Sequence, residues 1–184
     1  MATSVRQTDL PGVLVFEPDC FKDERGFFME TYNQERYGPL GLNCDFVQDN
    51  HSQSSRGVLR GLHYQLKHPQ SKLIHVVRGE IFDVAVDIRK GSPSFCQWAG
   101  LRLSAENKKQ LYIPGGFAHG FYVLSESADV LYKCTEVYRP GDEYGVVWSD
   151  GQIGISWPGE NPILSAKDAA LPSIAEIPPE NLPA

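Results

Sequence analysis

The sequence predicts an all-β fold, an antiparallel sandwich or small barrel with a few short helices, on three observations. Short runs rich in Val, Ile, Phe and Tyr recur throughout the 184 residues. Gly, Pro, Asn, Asp and Ser punctuate them at regular intervals, which is the pattern of short strands joined by turns. Helical periodicity is sparse.

Taken in order, the candidate strands are 13–16, 26–32, 46–52, 58–64, 73–78, 80–88, 95–103, 110–113, 120–124, 130–137 and 153–157. The run 80–88 alternates cleanly, with Phe82, Val84, Val86 and Ile88 on one face and Asp83 and Asp87 on the other. Arg78-Gly79-Glu80 reads as a tight hairpin between two of these strands. One or two helical turns are expected near 33–37, and a short helix from Ser165. The segment after Leu171 carries Pro172, Pro178, Pro179 and Pro183 and is expected to be irregular. With no internal repeat or linker, residues 1–184 read as a single domain with a Pro-rich tail.

A formal net charge of −6 argues against general binding to nucleic acid or anionic membranes, so a basic cluster here reads as a local anion site. Cys20, Cys44, Cys96 and Cys134 are widely spaced, with no C-x-x-C pair and no secretory segment. They are expected to be free thiols of a cytoplasmic protein. No apolar run approaches the ~18 residues of a membrane-spanning helix.

Several polar residues stand inside strand-like runs. A lone strand histidine such as His63 is more often structural than catalytic. Arg60 and Lys72 shift the balance, because neighbouring cations keep an imidazole neutral and able to accept a proton. Such a base needs an orienting carboxylate, and Asp83 and Asp168 are both candidates that periodicity does not separate. Lys72, beside the apolar run 73–77, reads as an inward-pointing cation. Tyr132, between Leu131 and Lys133, reads as core packing or as a weak acid with a pKa of about 10. Gln48, Asp49 and Asn50 offer donors and acceptors suited to a pyrimidine edge. Arg25 and Glu30 flank an edge-strand pattern. Glu143 and Lys167 are uninformative in isolation, and His68 and His75 read as structural or exposed.

Pro114-x-Gly116-x-x-His119 resembles the second metal-binding motif of cupins, which are jelly-roll proteins. The first motif requires H-x-H, whereas His63-Tyr64-Gln65 supplies one histidine. The expectation is therefore a cupin-type jelly roll without a metal site, leaving His119 to hydrogen-bond a ligand.

Longer stretches resemble the dTDP-4-dehydrorhamnose 3,5-epimerase family. They are Asp23-Glu24-Arg25-Gly26-Phe27-Phe28-Met29-Glu30-Thr31-Tyr32-Asn33, Phe46-Val47-Gln48-Asp49-Asn50-His51-Ser52 and Val58-Leu59-Arg60-Gly61-Leu62-His63-Tyr64-Gln65. They continue in Gly79-Glu80-Ile81-Phe82-Asp83-Val84-Ala85-Val86-Asp87-Ile88-Arg89, Ile113-Pro114-Gly115-Gly116-Phe117-Ala118-His119-Gly120-Phe121 and Ser165-Ala166-Lys167-Asp168-Ala169-Ala170. His75 and the stretch 139–144 depart from the family pattern. The resemblance implies a jelly-roll homodimer acting on a dTDP-4-keto-6-deoxyhexose, with no metal or coenzyme. It implies His63 as base, Asp168 as its orienting partner, Tyr132 as acid and Lys72 beside the reacting ketone. Arg25, Glu30, Gln48, Asp49, Asn50, Arg60, Lys72, His119, Glu143 and Lys167 would contact the nucleotide sugar. The competing expectations are an epimerase that inverts only C3 or C5, a sugar-binding cupin without catalysis, and a metal-dependent cupin oxygenase.

Overall fold

The computed structural model describes residues 3–184. Its strands are β1 (Thr3–Gln7), β2 (Leu14–Pro18), β3 (Cys20–Asp23), β4 (Gly26–Met29), β5 (Gln48–Ser55), β6 (Leu59–Gln65) and β7 (Lys72–Arg78), then β8 (Glu80–Asp87), β9 (Trp98–Ser104), β10 (Gln110–Ile113), β11 (Phe117–Val123), β12 (Ser127–Cys134) and β13 (Glu143–Gly145). Helix α1 (Gln34–Tyr37) and helix α2 (Ala166–Ala169) are single turns, each started by a side chain that accepts from a first-turn N–H, Asn33 and Ser165 respectively. A six-stranded sheet runs β1-β2-β10-β7-β12-β5, and a five-stranded sheet runs β13-β6-β11-β8-β9. The pairings are antiparallel, and β3 and β4 form a separate ribbon. The result is a cupin-type jelly roll.

The core lies in three layers because the five-stranded sheet is covered on both faces and the six-stranded sheet on its inner face and part of its outer one. Between the sheets pack Val15, Ile74, Val76, Ile81, Ala85, Leu111, Phe121 and Val130 among others. Behind the five-stranded sheet, Leu62, Val84, Val86, Ile88 and Ala118 meet Val146, Ile153, Ile174, Ile177 and Leu182. On the outer face of the six-stranded sheet, Phe16, Tyr37, Leu42 and Leu73 form a third cluster.

This layering sets the orientation of the two faces of β8. Its apolar face, Val84 and Val86, with Ile88 just beyond the strand, points away from the other sheet and is covered by the C-terminal segment. The opposite face places Asp83 between Ile81 and Ala85, which both lie in the inter-sheet core, and Asp83 has no exposed surface. A simple rule of apolar side inward would have put Asp83 in water.

Three expectations are corrected. Arg78-Gly79-Glu80 is not a hairpin: β7 pairs with β10 and β12, β8 pairs with β9 and β11, and Gly79 carries the chain from one sheet to the other. Gly79 has φ +76°, and a Cβ there would stand 2.1 Å from the Ser127 carbonyl oxygen. Residues 153–157 form no strand. Ile153 packs in the core, but its N–H donates to Asp150 Oδ1 in a turn instead of joining a ladder. The segment after Leu171 forms 3₁₀ turns at Ile174–Glu176 and Pro179–Asn181, anchored by its own apolar side chains and by the Tyr64 hydroxyl, which donates to the Asn181 carbonyl at 2.8 Å.

Asp150 holds that layer in place, since its carboxylate accepts from the backbone N–H groups of Gln152, Ile153 and Ile174. Asp150→Ala strands these donors, two of them in buried surroundings. Stability should fall by about 2–4 kcal/mol, read as a lower urea midpoint at unchanged m-value.

Candidate active site

The two sheets line a common cleft, and each contributes a different part of its wall. A cavity of about 400 Å³ is lined by Arg60, His63, His119 and Phe121 from the five-stranded sheet and by Ser52, Lys72 and Tyr132 from the six-stranded sheet. Glu143 on β13 and Ile163 to Asp168 close its side. A contiguous cavity of about 270 Å³ shares His63, Lys72, Tyr132 and Glu143 and extends to Gln48, Asn50 and Tyr138.

His63 and His119 face each other across the β6–β11 pairing. That close approach depends on Gly61, where φ is +121° and a Cβ would sit 2.6 Å from Gly120 Cα. Each imidazole has its own carboxylate. His63 Nε2 lies 2.5 Å from Asp168 Oδ1, and His119 Nε2 lies 3.0 and 3.1 Å from the two oxygens of Asp83. The two aspartates that the sequence left open are thus divided, with Asp168 at His63 and Asp83 at His119. Burial tends to raise Asp168, but hydrogen bonds from His63 and Ser165 outweigh it and hold the carboxyl below its ordinary range. With Asp168 ionised, His63 Nε2–H is the donor and Nδ1 is left free to take a proton.

Tyr132 stands on the opposite sheet, level with Asn50 on β5 and Ile74 on β7. Burial pushes its phenol up, Cys134 and Glu143 add to this, and Arg60 opposes it, so the hydroxyl stays protonated at neutral pH. Lys72, at the start of β7, is pulled down by burial and pushed back by Cys134, Asp83 and Glu143. The Arg60 guanidinium is fixed by Ser54 Oγ and the Gln53 carbonyl. Glu143 accepts from Lys167 Nζ at 2.5 Å and from the Tyr138 hydroxyl at 2.9 Å, bridging the cleft mouth.

The cleft therefore unites His63, Tyr132, Asp168, Lys72, Gln48, Asn50, Arg60, His119, Glu143 and Lys167. Three expected contact residues lie elsewhere in the chain. Arg25 sits at the β3–β4 turn paired with Asp23, Glu30 pairs with Arg36, and Asp49 points to the outer face of β5 toward Lys133. Among the described residues, no three His, Cys, Asp or Glu side chains converge as a metal-holding group.

The family described as dTDP-4-dehydrorhamnose 3,5-epimerase matches residues 7–176. The chain belongs to the dTDP-4-dehydrorhamnose 3,5-epimerase family. It is 58% identical over 167 residues to the dTDP-4-dehydrorhamnose 3,5-epimerase of Shigella flexneri, covering 90% of this chain and 92% of that one. The crystal structure of a dTDP-6-deoxy-D-glucose-3,5-epimerase from Legionella pneumophila in complex with dTDP-4-keto-L-rhamnose is 52% identical, with a TM-score of 0.96 over 98% of this chain and 97% of that one. A 3′-monoepimerase from Streptomyces bikiniensis in complex with dTDP-quinovose is 34% identical, with a TM-score of 0.86 over 91% and 86% of the two chains.

Within this family member, sequence reasoning missed Ser52, Phe121 and Tyr138 as cleft residues. The alternation of Gln48, Asn50 and Ser52 on one face of β5 was the available signal for the first. The Ser52 hydroxyl is the one buried side-chain polar atom without a hydrogen-bond partner among the described residues.

The depressed Asp168 carboxyl has a consequence for stability. A group whose folded pKa lies below its unfolded value of about 3.9 adds stability above that value and loses it as pH falls through the folded value. The stability difference between wild type and Asp168→Asn should therefore be constant above about pH 5 and shrink steadily below pH 4. Urea unfolding of both proteins between pH 2 and 7 reads it directly.

Proposed function

We propose that the chain inverts C3 and C5 of dTDP-4-dehydro-6-deoxy-D-glucose to give dTDP-4-dehydro-L-rhamnose, a step of dTDP-L-rhamnose formation. The observation that carries this is the placement of His63, paired with Asp168 of α2, on one sheet and Tyr132 on the other, across a cleft with Lys72 in its wall. A C4 ketone acidifies the hydrogens on C3 and C5 alike. His63 Nδ1 takes one of them, and the negative charge that forms on O4 is stabilised by the Lys72 ammonium. Inversion then needs a proton from the opposite face, which Tyr132 supplies from the facing sheet. Asp168 holds the imidazole in the required tautomer and stabilises the imidazolium formed. Arg60 neutralises the diphosphate and Gln48 and Asn50 face the base, so binding energy far from the reacting carbons positions them. The substrate brings its own activating carbonyl, so proton transfer between these side chains and the sugar carbons suffices.

We further propose a cytoplasmic homodimer. Phe21, Phe27 and Phe28 project from the β3–β4 ribbon at 50%, 58% and 63% exposure, and Leu131 and Val77 are exposed on the six-stranded sheet. Such an apolar surface calls for a cover. The same ribbon carries Arg25 and leads to Glu30, both implied to contact substrate yet outside this chain's own cleft. A second copy is the means by which those residues reach a cleft. Phe27→Ser with Phe28→Ser should yield a monomer by sedimentation and raise KM more than it lowers kcat. An active dimer after both substitutions would place the interface elsewhere.

The decisive experiment incubates the protein with dTDP-4-keto-6-deoxyglucose in heavy water and follows C3 and C5 by NMR. Both positions should exchange and invert. Exchange confined to one carbon would make the chain a single-position epimerase, as the Streptomyces bikiniensis relative is described. Tyr132→Phe should retain exchange through His63 while inversion falls about 10²–10⁴-fold. Equal loss of both would make Tyr132 a positioning group.

A further inference from the structure

The cleft changes character along its length. Gln48, Asn50 and Tyr138 line the smaller cavity only, while His63, Lys72 and Tyr132 are common to both cavities. Away from the polar end, the cavity of about 400 Å³ runs into Val58, Phe121, Ile163 and Leu164, none of which lines the smaller one. This apolar corner is built from separate segments. Phe121 on β11 is buried in the inter-sheet core, and Val58, just before β6, packs against the same core. The Phe121 ring centroid lies 6.3 Å from that of His119, the cross-strand partner of His63. Ile163 forms a parallel bridge with Val58, and Leu164 leads on to the Ser165 cap of α2.

Backbone bonds fix the corner from both sides. The Ile163 N–H donates to the Gly57 carbonyl at 2.8 Å, and the Leu59 N–H donates to the Ile163 carbonyl at 3.0 Å. On the other side, Val123 accepts from the Gly57 N–H and donates to the Val58 carbonyl, each at 3.0 Å. A larger side chain at Val58 would therefore intrude on the cavity before it displaced the chain.

The rest of the inference stands on the proposed epimerase reading. In a 4-keto-6-deoxyhexose, C3 bears a hydroxyl and neighbours another on C2. C5 bears the C6 methyl and neighbours the ring oxygen. The C5 flank is the apolar one, and a hydroxyl pressed into the corner would lose water without gaining a partner. When His63 takes the C5 proton, the electron pair of that bond passes into the enolate and C5 becomes planar. The Tyr132 hydroxyl then gives its proton to the opposite face of C5, and exchange with solvent resets both side chains. This step sweeps the methyl from one side of the ring to the other, through space that inversion at C3 does not use. We propose that Val58, Phe121, Ile163 and Leu164 receive the C6 methyl, and that the room they leave is what admits inversion at C5 as well as at C3. Val58 is then a specificity-determining residue.

The test uses the full chain in heavy water with two substrates, dTDP-4-keto-6-deoxyglucose and its analogue carrying hydrogen in place of the C6 methyl. Val58→Phe fills the corner. With the methyl substrate, the ratio of C5 inversion to C3 inversion, read by NMR, should fall about 10–200-fold, the scale of a small misfit in a hydrophobic pocket. With the analogue, the ratio of deuterium uptake at C5 to that at C3 should match wild type, because no methyl meets the added ring. An unchanged inversion ratio with the methyl substrate overturns the proposal. So does a C5 uptake that falls as far with the analogue, since the substitution would then have displaced the whole sugar. Ile163→Trp enlarges the corner from a position that is 57% exposed, and it should give the same pattern. Should Val58→Phe fail to fold, Ile163→Trp decides by itself. A wild-type protein silent at both carbons overturns the epimerase reading, and the role of the corner falls with it.

Discussion

The arrangement of the cleft depends on covering the five-stranded sheet from both sides. A sheet with one wet face must spend its dry face on hydrophobic packing. Here the C-terminal segment packs against the back, where Ile174, Ile177 and Leu182 meet Val84, Val86 and Ile88. The inner face is thereby free to carry Asp83, His119, His63 and Arg60 at one end while Ile81 and Ala85 continue the inter-sheet core at the other. Charged groups placed inside a protein must be paired or hydrogen-bonded. Each imidazole accordingly has a carboxylate, Arg60 has two oxygen acceptors, and Lys167 has Glu143.

Stereochemistry is built into the division between sheets. Side chains from one sheet can approach a ligand in the cleft from one side only, and those of the other sheet from the opposite side. His63 and Tyr132 come from different sheets, so a sugar lying between them would meet the proposed base on one face and the proposed acid on the other. Neither residue could migrate to the other's role by a rotamer change. Loops at the mouth, including Tyr138 and the segment bearing Lys167, can vary while this opposition is kept, consistent with a likeness to an enzyme described as a single-position epimerase.

The positions of the strands were largely legible because short β-branched and aromatic runs bounded by turn residues have few other readings. What they pair with was not. Gly79 gave a good hairpin signal, yet a glycine with positive φ serves a sheet-to-sheet crossing as well as a tight turn. Residues 153–157 carried strand-like composition, but Asp150 captures the Ile153 N–H before a ladder can form. Polar residues in β-runs marked the cleft correctly for His63, Lys72 and Tyr132. The choice between Asp83 and Asp168 required three-dimensional information, since one comes from β8 and the other from a helical turn 105 residues after His63. For Arg25 and Glu30 the family resemblance alone implied a contact, and one chain does not bring them to the cleft.

His63 and Tyr64 are consecutive on β6 and point to opposite faces of the same strand. The first reaches the cleft, and the second passes its hydroxyl to the Asn181 carbonyl in the tail, while Lys90 N–H binds the Pro183 carbonyl nearby. Asp168 lies just upstream of that same tail. The last dozen residues thus act as a strap drawn round the back of the sheet, with the proposed base, through its neighbour Tyr64, and its carboxylate partner Asp168 attached at either end. Slack in the strap would be felt as a looser imidazole before it was felt as unfolding. The C-terminus of this chain is therefore a poor place to attach cargo, and the exposed turn around Asn107 is a far safer one.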